Sequence, residues 1–144
     1  MKLAQLRREC VERLTKEEVD RPFYVTDILL TRALGVAKPL LITKYDEEVP
    51  PRVCEGIFAQ VARRLVREPL SYIIGEAEFY GRPFSVGPDC LIPRPETELL
   101  VEAMLKLAPA SGRFADWCTG SGCIGITLAL VKPGLTGIGV DCSA

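Results

Sequence analysis

The fold turns on Arg113-Phe114-Ala115-Asp116-Trp117-Cys118-Thr119-Gly120-Ser121-Gly122, followed by an apolar run from Cys123 to Val131. The first five residues read as a strand, the next five as a glycine-rich loop, and the run as a helix that Lys132-Pro133-Gly134 breaks. Thr136 to Val140 then reads as a second strand ending at Asp141. Strand, helix and strand in that order make a βαβ unit, the opening of a parallel α/β sheet. Gly120, Gly122 and Gly125 satisfy G-x-G-x-x-G between strand and helix. Glycines there let the backbone turn tightly and a ligand come close, with the amides of the helix N-terminus facing it. Asp141 stands 19 residues beyond Gly122, where a carboxylate takes both hydroxyls of a ribose. The plainer reading is a tight turn that binds nothing.

By itself the pattern fits a dinucleotide or S-adenosylmethionine. Asp116, two residues before the loop, favours the second. A carboxylate there meets the cationic amino end of a methionine moiety, whereas beside a pyrophosphate it repels. The alternative for Asp116 is a loop-capping acceptor.

Composition narrows the chemistry further. The chain of 144 residues has 18 Lys and Arg against 19 Asp and Glu, a net charge of −1. That excludes a nucleic-acid binder working by bulk electrostatics, and no direct nucleic-acid partner is expected. The absence of His removes His-based triads, the usual imidazole base and most zinc sites, so no metal is expected. Six cysteines (10, 54, 90, 118, 123 and 142) form no C-x-x-C pair. The nine apolar-run residues 123–131 fall far short of the roughly 18 that span a bilayer. With scattered thiols and no export signal, the expectation is a cytoplasmic monomer without membrane attachment.

Upstream, residues 1–70 read as a small helical bundle. Leu3, Leu6, Cys10 and Leu14 have helical spacing, with Arg7, Arg8, Glu9 and Glu12 on other faces. A second helix is predicted from Thr26 as N-cap to Leu34, with Gly35 as its stop, and Pro39 opens a short turn. After Pro50-Pro51, Val53, Ile57, Val61 and Leu65 mark a long helix. Arg63, Arg64 and Arg67 read as its solvated face, or alternatively as a docking patch for a partner or ribosomal RNA. Residues 71–91 carry short β-prone runs, Tyr72–Gly75, Glu76–Tyr80 and Phe84–Val86, with Gly81-Arg82-Pro83 as a hairpin-like break. Phe79 and Tyr80 either pack the hairpin or stack near a ligand. A Pro-rich loop, 92–96, leads into a helix with Leu99, Leu100, Ala103, Met104 and Leu107 as its apolar face. Trp117 reads as core, or as a shield over a cofactor.

These residues also carry a resemblance. Asp116 to Gly122 is similar to the cofactor motif of class I methyltransferases. The segments Arg67–Gly75, Glu78–Phe84 and, above all, Leu91-Ile92-Pro93-Arg94-Pro95-Glu96-Thr97-Glu98 resemble the release-factor glutamine methyltransferases, the HemK/PrmC family. The resemblance covers nearly the whole chain. It implies an α+α/β fold: a helical substrate-docking domain (1–70), a β-hairpin linker (71–91) and the βαβ start of a Rossmann-like methyltransferase domain (92–144). It implies S-adenosylmethionine as cofactor and N5-methylation of the glutamine in the Gly-Gly-Gln motif of release factors, the protein partner. Asp116, Cys118, Thr119, Gly120, Ser121 and Gly122 would cradle the methionine part, and Asp141 the ribose. Arg94, Pro95, Glu96 and Thr97 would line the approach.

Two departures stand out. The family has glycine where this chain has Cys118, and its Asn-Pro-Pro-Tyr motif is absent from a chain with no Asn at all. Amide acceptors of that kind hold the glutamine NH₂ in line with the methyl, because an amide nitrogen is a poor nucleophile. Little or no transfer by residues 1–144 is therefore expected, and no catalytic residue is assigned. Residues 113–144 supply two strands and a helix, fewer than such sheets need to cover both faces, so a truncated and aggregation-prone chain is expected. The competing functions are a release-factor docking module without catalysis and an NAD(P)-binding oxidoreductase fragment.

Overall fold

The computed structural model describes residues 1–142, in two compact units, Met1–Ile74 and Gly75 onward. In the first, α1 (Leu3–Lys16), α2 (Pro22–Leu34) and α3 (Pro51–Leu65) close around Leu6, Leu14, Leu29, Leu30, Ile57 and Val61, none more than 1% exposed. The predicted stripe of α1 (Leu3, Leu6, Cys10, Leu14) is buried throughout. Burial pushes the Cys10 thiol up to about 11, so it packs as a hydrophobe. Gly35 ends α2 in the left-handed region, as expected. Two 3₁₀ turns, Lys38–Leu40 and Ile42–Lys44, drop Leu41 into the core between them.

Two expectations for this unit need correction. The second helix starts at Pro22, whose fixed φ suits the first turn; Thr26 is a buried residue inside it, not its cap. Residues 70–74 are helical (α4, Leu70–Ile74), with Ile73 in the bundle core. Pro69 opens that turn and the core claims its apolar side, overriding the β-propensity of Tyr72-Ile73-Ile74. The arginines after Val61 are solvent-facing as read, Arg63 and Arg67 exposed and Arg64 half-buried, and each is also hydrogen-bonded. Arg63 pairs with Glu68 and donates to the carbonyls of Tyr72 and Ile73, Arg64 donates to the Glu68 carbonyl, and Arg67 donates to those of Glu17 and Glu18. They tie α4 and the chain after α1 to the end of α3. Arg7, on the outer side of α1, makes a two-point ion pair with Asp27 of α2 at 2.7 and 3.3 Å.

The second unit begins with an antiparallel hairpin, β1 (Glu76–Phe79) and β2 (Arg82–Ser85), Phe79 facing Arg82. Tyr80 and Gly81 both have positive φ, 53° and 67°, the geometry of the two-residue turn that matches strand twist. Arg82 and Pro83 thus lie in the strand and not in the turn. Next come α5 (Glu96–Leu107), β3 (Gly112–Trp117), α6 (Cys123–Val131) and β4 (Leu135–Val140). β3 and β4 pair in parallel, Gly112 opposite Leu135 through Trp117 opposite Val140, which is the expected βαβ unit. Phe79, Phe84, Val101, Cys123 and Leu128 form the core, with Phe79 and Phe84 edge to face at 6.0 Å.

α5 is rotated from its predicted face. Val101 is fully buried and Met104 and Leu105 lean on the core, while Leu99, Leu100 and Leu107 are exposed. The sequence holds two apolar stripes, and the one carrying Val101 and Leu105 packs on Phe79 and Phe84, with Glu98 on the same side bonded to the Tyr80 amide. Trp117 is 73% exposed and outside the core. A Cβ on Gly125 of α6 would touch both Phe114 and Asp116, so those two face the helix and strand alternation turns Trp117 to the other side. Among the described residues no helix is long and apolar enough to cross a membrane.

Candidate cofactor site

The loop between β3 and α6 is held by its own residues. Cys118, Gly120 and Gly122 all take positive φ, 59°, 53° and 75°, so the chain coils left-handed three times in five residues. At Gly120 and Gly122 this is free of Cβ strain; at Cys118 it is not, and there the family's glycine has a steric reason. Gly122 is the residue from which α6 starts, and its carbonyl accepts the Ile126 amide at 2.9 Å.

Two carboxylates bracket this loop. Asp116 Oδ2 accepts the Thr119 hydroxyl at 2.8 Å and the Gly125 amide at 3.0 Å. Asp141, just past β4, accepts the Gly120 amide on Oδ2 at 2.7 Å. The Thr119 amide donates to the Val140 carbonyl at 3.1 Å, and the Gly122 amide donates to the Thr119 carbonyl at 2.9 Å. Asp116, Thr119, Gly120, Gly122 and Asp141 are thus brought together in one hydrogen-bonded turn, with Cys118 and Ser121 between them. The capping reading of Asp116 is realised in its Oδ2 contacts.

Beside the turn lies a cleft of about 300 Å³ lined by Phe114, Asp116, Thr119, Gly122, Gly125 and Ile126, among others, with no Lys or Arg in its lining. A cleft lined by the Asp116 carboxylate and no cation suits a ligand with a positive end better than a pyrophosphate. The donor set therefore fits S-adenosylmethionine.

Arg94, Pro95, Glu96 and Thr97 form the entry to α5, the Thr97 amide donating to the Arg94 carbonyl at 3.0 Å. Among the described residues no hydrogen bond joins them to the loop. The segment before them does reach it: a Cβ on Gly120 would lie 4.0 Å from Cys90 Cβ. Sequence reasoning missed Gly137 and Gly139, whose alternation in β4 was the available signal. A Cβ on Gly137 would sit 2.3 Å from the Phe114 ring, and one on Gly139 3.0 Å from the Thr119 side chain.

Comparison with known proteins supplies the rest. Residues 5–75 match the family model of the PrmC N-terminal domain. The chain is 43% identical over 143 residues to a release factor glutamine methyltransferase of Nitratidesulfovibrio vulgaris, covering 99% of this chain and 48% of that protein. It is 50% identical over 93 residues to the protein of that name from Neisseria gonorrhoeae, 65% of this chain and 34% of that one. For the Geobacter sulfurreducens protein of that name the figures are 39% over 128 residues, 89% and 45%. The chain spans about half the length of the curated relatives it matches.

Proposed function

The chain belongs to the release-factor glutamine methyltransferase family, and on that premise we propose that it serves S-adenosylmethionine-dependent N5-methylation of the glutamine in the Gly-Gly-Gln motif of peptide chain release factors, in the cytoplasm. The observation that carries the cofactor reading is the pair of carboxylates, Asp116 and Asp141, fastened to the two sides of a glycine turn at the head of α6. Bound there, the cofactor supplies an electrophilic methyl group on a sulfonium. Asp141 offers its carboxylate to the ribose hydroxyls, and residues 118–122 lie along the methionine portion. Asp116 places negative charge beside the cationic end.

Arg94 to Thr97 line the approach in this reading, and the helical unit Met1–Ile74 docks the release factor. Ultraviolet cross-linking with methyl-labelled S-adenosylmethionine tests the site. Label is expected on the peptide that contains residues 118–122, competed away by S-adenosylhomocysteine. Label confined to the helical unit would contradict the assignment.

A further inference from the structure

Thr119 is tied to the turn through its amide, its carbonyl and its hydroxyl. Its amide donates to Val140 at the end of β4, its carbonyl accepts the amide of Gly122, and its hydroxyl donates to Asp116 at the end of β3. The same Asp116 oxygen takes the Gly125 amide, one turn into α6. Room for the side chain comes from Gly139, where even a methyl group would crowd Cγ2 and Oγ1 at 3.0 Å. One residue thus fixes the strand before the loop, the strand after it and the residue from which the helix starts. We infer that Thr119 is a positioning residue, whose hydroxyl holds the cofactor turn in its binding shape through Asp116. The inference rests on the cofactor reading above.

A hydroxyl has one proton to give, and here it goes to a half-buried carboxylate, the stronger class of hydrogen bond. Serine keeps that donor; valine keeps the shape and removes it. The test compares the chain with Thr119→Ser and Thr119→Val by calorimetric titration with S-adenosylhomocysteine and by amide hydrogen exchange at Gly122 and Gly125. Thr119→Val is expected to weaken binding about tenfold and to speed exchange at both amides, as loss of a charge-assisted bond allows. Thr119→Ser should stay within about twofold on the same scale. A valine chain that binds and exchanges like the original overturns the inference, and so does a serine chain as impaired as valine. The unsubstituted chain gives a further check independent of variant folding: a Gly125 amide exchanging at the rate of a free glycine would also overturn it. Failure of S-adenosylhomocysteine to bind the unsubstituted chain would instead defeat the cofactor reading, with the exchange data still judging Thr119.

Discussion

The amide of Tyr80, at the tip of the hairpin, donates to Glu98 Oε1 in the first turn of α5 at 2.8 Å. Tyr80 belongs to Glu78–Phe84 and Glu98 to Leu91–Glu98, the two segments that most resemble the family, so one hydrogen bond fastens them together. Val101, one turn on and on the same side of α5, is fully buried. Glu98→Ala is expected to lower stability by about 1–2 kcal/mol, because a half-buried amide loses a charged acceptor. Glu98→Gln keeps an oxygen there and should lose less than half of that. Denaturant unfolding of the two variants checks both.

The ring of Phe114 lies on Gly137, where a Cβ would fall 2.3 Å from Cε2 and 2.4 Å from Cζ. Gly137→Ala should therefore destabilise by about 1–3 kcal/mol through overpacking. Adding Phe114→Leu removes the ring and should recover part of the loss, giving a non-additive double-mutant cycle.

Cys118 holds a φ of 59° with a Cβ in place. Glycine relieves that strain, offset in part by the greater freedom it gives the unfolded chain. Cys118→Gly is expected to raise stability by about 0.5–1 kcal/mol, measured by thermal melting. An unchanged or lower melting temperature would mean that the left-handed turn carries no strain there.

Glu68 accepts from the Arg63 guanidinium, which holds its carboxyl below the ordinary value of 4.5. A carboxyl whose folded pKa is depressed contributes stability that is present above the unfolded value and is lost as pH falls through the folded one. The chain should accordingly lose stability on acidification below about 4.5, and Glu68→Gln should flatten that slope. Chemical unfolding at a series of acidic pH values shows whether it does.

Local signals and tertiary packing divided the legible from the hidden. The stripe Leu3-Leu6-Cys10-Leu14 and the order strand, glycine loop, helix, strand are periodic and local, and both appear as read. Tyr72-Ile73-Ile74 went to helix because the bundle core claims Ile73, which no local propensity records. In α5, two apolar stripes compete, and the one that packs on Phe79 and Phe84 wins, a tertiary contact that local periodicity does not record. At the loop, the composition of the turn and a capping role for Asp116 were legible, but not that Asp141 accepts the Gly120 amide. That bond depends on how closely β4 approaches, which Gly139 decides.

The central claim is the identity of the cofactor. Calorimetric titration of the chain with S-adenosylhomocysteine, and in parallel with NADH, tests it most directly. The expected result is saturable binding of S-adenosylhomocysteine, weakened at least about tenfold by Asp141→Ala, with no heat from NADH. Saturable binding of NADH with no response to S-adenosylhomocysteine would contradict it.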